Sequence, residues 1–507
     1  MKVVVVGAGI SGLKAAATLY QRGVQECVVL EARSRIGGRL HSVTGYDGKR
    51  KYDLGASWHH DTLRNDLFFE ECRISAGGAG GTAGGAAPFA FDDDFMILID
   101  NRLGRLDRHP EMRLEIVDSE ISKFADLEYH QKLGTRDTSF RDLVYKYLFE
   151  KRQFLTDNQI RYTPQLSRFL ELWHGIDWRL LSARDTYFGH QGRNAFVMNF
   201  DAVVRRISSG FPQEWIHCDS PVAAISRTRD GKVQVRTQGP EGADIEADYC
   251  IVTVPQSVLQ LSTETMPAEG RIQFSPPLNT RITGAFERMH FGGLGKVIFE
   301  FDRTTWSLES TKILTLAQSS SEFVQRVRSA TSLEALVEDP ETPQVGTCWD
   351  HPLYFVNLSK IDGTPSFMMI MQEPLTQYIE SLGGDKQRVV EYFRPVLDKV
   401  LTTLGSPPLQ DAMAVDHGDD VGGFAPLLKN VIVSNWTQDE FSRGAYSACH
   451  PGDDALDMIV ALSDGQGPRI RFAGEHTVMD GAGCVYGAWE SGKREAEFIL
   501  EDANWPQ

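Results

Sequence analysis

Several features that mark other classes of protein are scarce in this sequence of 507 residues. No apolar run approaches the roughly 20 residues that a membrane-spanning helix needs, so we expect no association with a membrane. The seven cysteines are scattered, without the spacing of a metal site or of a disulfide framework, and predict neither. Basic residues are outnumbered, 52 Lys and Arg against 69 Asp and Glu, and the net charge of −17 argues against a nucleic-acid partner.

What remains is the composition of a globular protein long enough for two or three domains, with 41% apolar and 24% charged residues. Cys27, Cys250 and Cys348 lie in apolar runs, which predicts buried thiols in a reducing compartment. No signal peptide precedes the first predicted strand, so we expect a cytoplasmic location. The acidic balance is compatible with a cationic substrate but does not by itself establish one.

The N-terminal segment carries a dinucleotide-binding pattern. Four valines at 3–6 are typical of a buried parallel strand, and an alanine-rich stretch of high helix propensity follows. Between them, Gly7, Gly9 and Gly12 have the spacing that permits a tight turn, a close approach to a pyrophosphate, and close packing of helix on strand. Glu31, at the end of the next predicted strand, is placed to bind ribose hydroxyls. The combination predicts a dinucleotide site.

A second glycine pair follows this acid, in the segment Glu-Ala-Arg-Ser-Arg-Ile-Gly-Gly-Arg at 31–39. Gly37 and Gly38 permit a tight backbone course beside phosphates, and Arg39 can donate to them bidentately. The alternative, a glycine turn flanked by solvated arginines, is less favoured directly after a ribose-binding acid. At this point the sequence resembles the flavin amine oxidases, whose FAD fingerprint has the same second half.

The resemblance runs nearly end to end and is closest to fungal polyamine oxidases of the spermine oxidase type. Besides the fingerprint, it is carried by Gly-Lys-Val-Ile-Phe at 295–299 and Phe-Ala-Gly-Glu-His-Thr at 472–477. It implies an α/β fold with a Rossmann-like FAD-binding domain of the glutathione-reductase type. A substrate domain of α+β class, a mixed sheet flanked by helices, interrupts that domain. The implied boundaries are 1–90, 200–290 and 423–507 for FAD binding, and 91–199 and 291–422 for substrate binding.

The resemblance also implies which residues bind the cofactor. In relatives with covalent FAD, a cysteine stands just before an aromatic-cage tyrosine. Ala445 takes that place here, before Tyr446, so we expect non-covalent FAD. The implied cofactor-binding residues are Gly7, Gly9, Ser11, Gly12, Glu31, Arg39, Ala56, Ser57, Val222, Glu475, Gly483, Cys484 and Val485.

Lys296 and His60 are the two candidate catalytic residues. Alternation along 295–301 places Lys296, Ile298 and Glu300 on one face of a strand. A lysine that opens an apolar strand is usually a surface residue with its charged end in water. The resemblance implies instead that Lys296 is held through water to the flavin. His60 follows a glycine turn, where a histidine is usually a surface residue, and the resemblance implies contact with substrate.

Further substrate-binding residues are implied by the resemblance. Taken alone, the aromatic residues in this set are more typical of a core, and the histidines of turns. The second position of the aromatic cage falls at Cys484, which leaves one aromatic wall and favours an elongated aliphatic amine over a compact aryl amine. The implied set is His60, Trp173, His190, Asn194, Tyr446 and Cys484, and Asp93 is added to it as a candidate partner for a distal ammonium group of the substrate.

Two neighbouring segments leave alternatives open. Residues 75–88 are almost wholly Gly, Ala, Ser and Thr, which predicts a flexible surface loop, either a tolerated insertion or a lid. Three aspartates at 92–94 form either a solvated turn between strands or an acidic portal that attracts a polyamine. The sequence favours neither of these two interpretations.

Coarser patterns predict secondary structure elsewhere. Apolar residues at three-to-four spacing predict helices over 111–117 and 140–148, within a helical block from about 110 to 200. A turn at 229–232 predicts a hairpin that ends in the strand opening at Val233. Segments 354–358 and 366–371 predict paired strands.

These expectations define a function. The resemblance implies a polyamine oxidase that oxidises spermine, with spermidine and N-acetylated polyamines as alternatives, beside a secondary amine. The imine hydrolyses to a shorter amine and an aminoaldehyde, and O2 becomes H2O2. Three other functions stay open: a lysine-demethylase-like amine oxidase, an amino-acid oxidase, and a non-enzymatic flavoprotein that binds a hydrophobic ligand such as a steroid.

Overall fold

A computed structural model describes most of the chain as a mixed helix and sheet structure. The described residues are 1–76, 88–132, 134–186, 191–238, 242–266, 268–338, 344–409 and 426–506. The predicted flexible loop at 75–88 falls almost entirely outside them, as does His190. No helix in these ranges is long and apolar enough to cross a membrane. No cluster of three or more His, Cys, Asp or Glu in them is arranged to hold a metal ion.

A five-stranded parallel sheet begins with the predicted N-terminal strand. Lys2–Val6 lies at its centre, and the four valines are at most 3% exposed. Their β-branched side chains suit a strand buried on both faces. Helix Ile10–Gln21 leaves this strand and packs against the C-terminal helix Val485–Asp502. In spatial order the strands are Ile216–His217, Glu26–Leu30, Lys2–Val6, Tyr249–Val252 and Ile470–Phe472.

A four-stranded sheet contains the predicted hairpin. Strands Val222–Arg227 and Val233–Thr237 pair antiparallel around the turn at Gly231, whose φ of 86° lies in the left-handed region that favours glycine. The hairpin prediction is therefore confirmed. The sheet order is Asp244–Ala247, Val233–Thr237, Val222–Arg227 and Gln273–Ser275.

A seven-stranded mixed sheet lies beside the candidate site. Its strands pair antiparallel, apart from Lys312–Thr315, which runs parallel to Met96–Asp100. The predicted pairing of the strands near 354 and 366 is confirmed. The order is Leu428–Val433, Gly295–Phe301, Ser366–Met371, Leu353–Asn357, Lys312–Thr315, Met96–Asp100 and Gly104–Arg105.

The two faces of this sheet pack against different partners. Val297, Phe299 and Phe301 belong to an apolar core with helix Lys386–Thr403, whereas Ile298 packs with aromatic residues on the opposite side. The predicted alternation along the strand is confirmed. The implied domain boundaries stay a prediction; strand Leu428–Val433, which they give to FAD binding, pairs within this sheet.

Three small sheets join distant segments around the site. Two are pairs, Ser42–Thr44 with Lys51–Asp53 and His290–Gly292 with Tyr446–Ala448. The third has three strands, Trp58–His59, Ala195–Val197 and Phe89–Phe91. These pairings fix the segments that carry His60, Asn194 and Tyr446.

Of the two helices predicted within the block from about 110 to 200, one is confirmed and the other is corrected, and the end of the block carries strand Ala195–Val197. Helix Phe140–Lys151 covers the predicted segment. Residues 111–117 do not form one helix: two 3-10 turns are separated by Arg113 with a φ of 53°, and the α-helix begins at Val117. A left-handed residue cannot continue a right-handed helix. The α-helices are Ile10–Gln21, Asp66–Ala76, Val117–Tyr129, Phe140–Lys151, Asp157–Ser167, Glu171–His174, Phe200–Ser208, Gln256–Leu259, Thr280–Phe286, Ser321–Ser329, Leu333–Val337, Leu358–Asp362, Leu375–Ser381, Lys386–Thr403, Ala455–Asp464 and Val485–Asp502.

Candidate functional site

A cavity of about 700 Å³ runs from the glycine-rich N-terminal segment to the aromatic side chains beside the seven-stranded sheet. It brings together residues that are far apart in the sequence. Most of the predicted site residues lie on its wall: Gly7, Gly9, Ser11, Glu31, Arg39, Ala56, Ser57, His60, Trp173, Val222, Lys296, Tyr446, Glu475, Gly483, Cys484 and Val485.

The glycine-rich end of the cavity is built from backbone. Gly7 has a φ of 105°, and Gly9 forms a bridge to Gly37 of the second glycine pair. A Cβ on Gly9 would meet no protein atom within 4 Å, so the space beside it is open to a ligand. Gly12 does not line the cavity; a Cβ there would lie 2.0 Å from the Gly7 carbonyl oxygen, so it serves close packing of helix on loop. This cradle fits a dinucleotide diphosphate.

Two further features of this end suit the same ligand. Helix Ile10–Gln21 begins after Gly9 with no side-chain cap, so its first N–H groups and positive dipole end are available to an anion. The Glu31 carboxylate is buried and is held by the N–H groups of Ala8 and Arg33, each at 2.9 Å. Backbone donors therefore orient the acid that is predicted to bind ribose.

Arg39 has other partners than the predicted phosphates. Its Nη1 donates to the carbonyl oxygen of Ala445 at 2.7 Å and to Glu475 Oε1 at 3.0 Å. Glu475 also accepts from the Ser447 hydroxyl at 2.6 Å and from the N–H of Gly483 at 3.1 Å. Burial opposes ionisation of Glu475, but the charge of Arg39 and these bonds hold its pKa below the ordinary value. The hydrogen bonds of Arg39 and Glu475 therefore connect three segments of the cavity wall, at 39, 445–447 and 475–483.

Lys296 lies at the junction of the two ends and is only 5% exposed, which excludes the surface interpretation. Its Nζ donates to the Asp53 carbonyl oxygen at 3.1 Å, to the Gly55 carbonyl oxygen, and to Ser57 Oγ at 2.5 Å. It lies 5.9 Å from the centre of the Trp58 ring. Burial lowers the pKa of Lys296 to about 7, opposed by the charge of Asp53, whose own pKa burial raises to about 6.

Aromatic rings form the wall beyond Lys296. The His60 ring stacks near Trp58 with centroids 6.5 Å apart and meets the edge of Trp173 at 6.1 Å. The Tyr446 hydroxyl donates to the Trp173 carbonyl oxygen. Tyr354, which the sequence analysis named only as part of a strand, packs against both Trp58 and Trp173. Apolar walls with a few fixed polar groups are typical of small-molecule sites.

Two predicted substrate-binding residues do not lie on the described cavity wall. Asn194 Oδ1 is 2.9 Å from His60 Nδ1, so Asn194 orients the histidine. Asp93 is exposed and pairs with Arg193. Its neighbours Asp92 and Asp94 pair with lysines, and none of the three aspartates lines the cavity. Since each negative charge has a cation beside it, the structure favours the turn between strands over the acidic portal.

Cys484 and Ala445 stand where the sequence analysis expected an altered aromatic cage. A Cβ on Gly483 would lie 3.2 Å from the Tyr446 ring, and Cys484 adds to the effect of burial in raising the pKa of Tyr446, so both residues lie near that ring. Burial raises the pKa of Cys484 to about 12, so the side chain is a neutral thiol at ordinary pH. Ala445 offers no nucleophile. One aromatic wall therefore stands at this position.

Sequence reasoning missed Asp53 and Asp61. Asp53 is buried beside Lys296, and Asp61 lies on the cavity wall. Both lie in the segment 52–61, which contains the glycine turn at 55. The signal in the sequence was the presence of two aspartates in a segment rich in apolar residues. An aspartate near a turn is usually exposed, so the sequence did not show that these two are buried.

A cavity with a dinucleotide cradle at one end and a buried lysine among aromatic rings at the other defines a cofactor-dependent oxidoreductase. The chain belongs to the family of flavin containing amine oxidoreductases, whose model matches residues 10–500. Membership identifies FAD as the cofactor, and the cradle, the uncapped helix and Glu31 fit it. The family also supports amine oxidation, with a small-molecule amine and O2 as substrates.

The chain is similar to proteins that carry different names. The chain is 32% identical to a corticosteroid-binding protein of Candida albicans, over 99% of this chain and 96% of that protein. It is 25% identical to polyamine oxidase 4 of Oryza sativa subsp. japonica, over 98% and 88% of the two chains. It is 27% identical to a probable polyamine oxidase 4 of Arabidopsis thaliana, over 97% and 85%.

Proposed function

We propose that this protein is an FAD-dependent polyamine oxidase. It oxidises spermine, or spermidine and N-acetylated polyamines, beside a secondary amine, and the resulting imine hydrolyses to a shorter amine and an aminoaldehyde. Bound FAD supplies the two-electron oxidation of the substrate and passes the electrons to O2, which becomes H2O2. The observation that carries the proposal is the single cavity that joins the dinucleotide cradle, the buried Lys296 and the aromatic wall.

Lys296 is a catalytic residue in this proposal. Its Nζ is fixed by Ser57 and by two carbonyl oxygens, so it presents a polar group beside the aromatic rings of the wall. Burial lowers the pKa of Lys296, so Nζ releases a proton more readily than the ammonium group of an exposed lysine. His60, oriented by Asn194, contacts the substrate from the aromatic side.

The aromatic wall favours the protonation state that amine oxidation needs. A substrate nitrogen must be neutral for its lone pair to assist removal of hydrogen from the adjacent carbon. Trp58, Trp173 and Tyr446 displace water from the wall, and desolvation favours a neutral amine over an ammonium. With Cys484 opposite Tyr446, the pocket suits an elongated aliphatic chain better than a flat aryl group.

FAD is held non-covalently, and the FAD domain, which is built from the three segments given above, is of the glutathione-reductase type. Ala445, at the position where covalent relatives carry a cysteine, supports non-covalent binding. The neutral thiol of Cys484 supports it too, since a thiol is a weaker nucleophile than a thiolate. The reduced, scattered cysteines are in keeping with a cytoplasmic protein.

A second candidate function is binding of a hydrophobic ligand such as a steroid. It is favoured by the relative named as a corticosteroid-binding protein and by the apolar residues of the cavity wall. A lysine-demethylase-like activity is a further alternative. A relative named lysine-specific histone demethylase 1 homolog 1 of Arabidopsis thaliana is 26% identical, over 99% of this chain and 52% of that protein.

The test is oxidation of a panel of amines by the purified yellow protein. Spermine, spermidine, N1-acetylspermine, benzylamine and a methyl-lysine peptide are incubated in air, with peroxide measured and products identified by mass. We expect peroxide and an aminoaldehyde from at least one polyamine and none from benzylamine. Peroxide from the peptide alone would assign demethylation. Tight binding of cortisol with no turnover of any amine would assign the steroid function.

A further inference from the structure

The exposed part of the cavity wall lies at the amine end. Arg64 follows His60 by four residues and Ala482 precedes Cys484 by two, and all four line the cavity. Among the described residues of the wall, those that are exposed come from three short segments: Arg64, Gln191, Met479, Asp480 and Ala482.

Direct contacts join these three segments around one opening. The N–H of Leu63 donates to the carbonyl oxygen of Gln191 at 3.2 Å, which links the first segment to the second. Arg64 Nη2 donates to Asp480 Oδ2, an ion pair that links the first segment to the third. A charged pair therefore stands at the opening that leads from solvent to the aromatic wall.

The Arg64–Asp480 pair is exposed, unlike the Arg39–Glu475 pair of the same cavity wall. The side chains of Arg64 and Asp480 are 49% and 56% exposed, whereas those of Arg39 and Glu475 are 25% and 4% exposed. Exposed ion pairs are weak, because water and salt screen both charges. A cation from solution can therefore replace Arg64 beside Asp480 at little cost in free energy.

The surroundings of this pair are acidic. Burial, together with the charges of Asp66 and Asp480, raises the pKa of Glu490, so these carboxylates lie near one another. The charges of Arg64 and Lys493 oppose that rise. Three carboxylates therefore stand beside two cations at the opening, a balance that attracts a cationic ligand.

We propose that Asp480 binds a distal ammonium group of the substrate at this opening, and that the ammonium group replaces Arg64 as the partner of the carboxylate. The inference rests on the proposed polyamine oxidation and names the residue that favours a polyamine over a monoamine. A chain whose reacting nitrogen lies beside Lys296 extends toward the opening, where its remaining charge stays partly in water. An ammonium group there keeps its charge and gains a charge-assisted hydrogen bond.

The test compares Asp480→Asn and Arg64→Gln holoenzymes with the parent protein on spermine. In Asp480→Asn, KM should rise about five- to ten-fold, because the acceptor loses its charge while the positive charge of Arg64 stays at the opening. In Arg64→Gln, KM should fall about two- to five-fold, because Asp480 no longer has to be released from an exposed ion pair. The two variants therefore shift KM in opposite directions, and kcat should change less than two-fold in both.

A linear secondary monoamine of the same length is the second substrate. Its single nitrogen must be neutral to react, so it has no ammonium group for Asp480. Its KM should change less than two-fold in both variants. If the parent does not oxidise the monoamine, its inhibition constant is compared instead. Equal shifts for spermine and for the monoamine overturn the inference.

Arg281 and Asp464 supply a matched control pair. Their side chains are 52% and 58% exposed, and neither lies on the described cavity wall. Arg281→Gln and Asp464→Asn make the same changes in net charge and should shift KM for spermine less than two-fold. Equal shifts at the two pairs would indicate a general effect of net charge and overturn the inference.

The remaining outcomes separate the inference from the proposed function. A KM for spermine that is unchanged, or that moves in the opposite direction, in either Asp480→Asn or Arg64→Gln overturns the inference while polyamine oxidation stands. A parent protein that neither oxidises nor binds any polyamine overturns the proposed function and the inference with it.

Discussion

The two ends of the cavity are built in opposite ways. The glycine cradle of the nucleotide end is backbone from one continuous segment, 7–39, where Gly9 forms a bridge to Gly37 and N–H groups hold Glu31. The amine end is made of side chains from separated segments, with Trp58, Trp173, Lys296 and Tyr446 contributed by different sheets and helices.

This difference determines what each end depends on. The nucleotide end requires glycines, because its backbone must approach the ligand closely and two of its backbone segments must approach each other closely. The amine end needs particular side chains held by long-range contacts, such as Lys296 by the segment 53–57 and Trp173 by Tyr446. Substitutions at the first end should therefore remove the cofactor, whereas substitutions at the second should spare the cofactor and alter catalysis.

Gly12→Ala should have the largest effect. The added Cβ would lie 2.0 Å from the Gly7 carbonyl oxygen and 3.1 Å from a Val5 methyl group. We expect a destabilisation of about 3 kcal/mol and loss of FAD, measured by urea unfolding and by the flavin absorbance of the purified protein. Gly284→Ala is the control, since Gly284 lies in helix Thr280–Phe286 with no atom near its added Cβ. Unchanged FAD content and stability in Gly12→Ala would contradict the backbone account.

Lys296→Met should impair the amine end of the cavity and leave the nucleotide end intact. The change removes the Nζ donor but keeps the length of the side chain, and no residue of the cradle is touched. We expect FAD to stay bound and amine oxidation to slow by about 100-fold, the range for loss of a proton-transfer group, measured as peroxide release. Lys312→Met is the control, because Lys312 opens another strand of the same sheet and pairs with Asp92. Unchanged turnover would remove Lys296 from the mechanism.

The same lysine predicts a pH dependence of stability. Burial lowers its pKa to about 7 in the folded protein, against an ordinary value of 10.5 in the unfolded chain. Between these values the unfolded state binds the extra proton, so the contribution of Lys296 to the free energy of unfolding rises with pH, by at most about 1.4 kcal/mol per unit. Urea unfolding across this window should show the free energy of unfolding of the parent and of Lys312→Met rising relative to that of Lys296→Met, in which the other titrating groups are unchanged. Equal slopes in Lys296→Met and the parent would contradict burial of the charge.

Tyr446→Phe should have a moderate effect confined to the amine end. The aromatic ring stays, but the hydroxyl bond to the Trp173 carbonyl oxygen is lost. A hydrogen bond of about 1 kcal/mol corresponds to a rise of about five-fold in KM for spermine, with FAD content unchanged. Tyr46→Phe provides a control at an exposed tyrosine. Loss of FAD from Tyr446→Phe would show that the two ends are not separable.

Asp93→Asn should have the smallest effect. Asp93 and Arg193 form an exposed pair away from the described cavity wall, and such pairs contribute little to stability or to remote sites. We expect less than a two-fold change in KM for spermine at physiological salt. A rise of ten-fold or more would return Asp93 to the path of the substrate and revive the acidic portal.

Sequence analysis predicted the nucleotide end almost completely, because its information is local. The glycine spacing and the acid at the end of the second strand lie within 39 residues, and the structure joins Gly9 to Gly37 and Ala8 to Glu31 accordingly. Two differences are Gly12, which packs helix on loop and does not line the cavity, and Arg39, which donates to Ala445 and Glu475. These partners come from more than 400 positions away, and no local pattern reports them.

The amine end was predicted only in part. Strand alternation placed Lys296 on the correct face, but the buried bonds to Asp53 and Ser57 required the tertiary structure. Tyr354 is one of several buried aromatic residues, and its contact with Trp58 and Trp173 depends on sheet register. Sequence analysis placed Asp93 at the substrate site, whereas the structure pairs it with Arg193 away from the described cavity wall. The sequence does not show which distant arginine pairs with a surface aspartate.

The central claim is that the amine end delivers an aliphatic polyamine to bound FAD. The most direct measurement is anaerobic mixing of the purified yellow holoenzyme with spermine, spermidine or N1-acetylspermine, followed by flavin absorbance. The account predicts rapid bleaching with a polyamine, recovery of the colour when O2 is admitted, and no bleaching with benzylamine. A protein that stays yellow with every polyamine, or that purifies without FAD and does not bind it when added, would contradict the account.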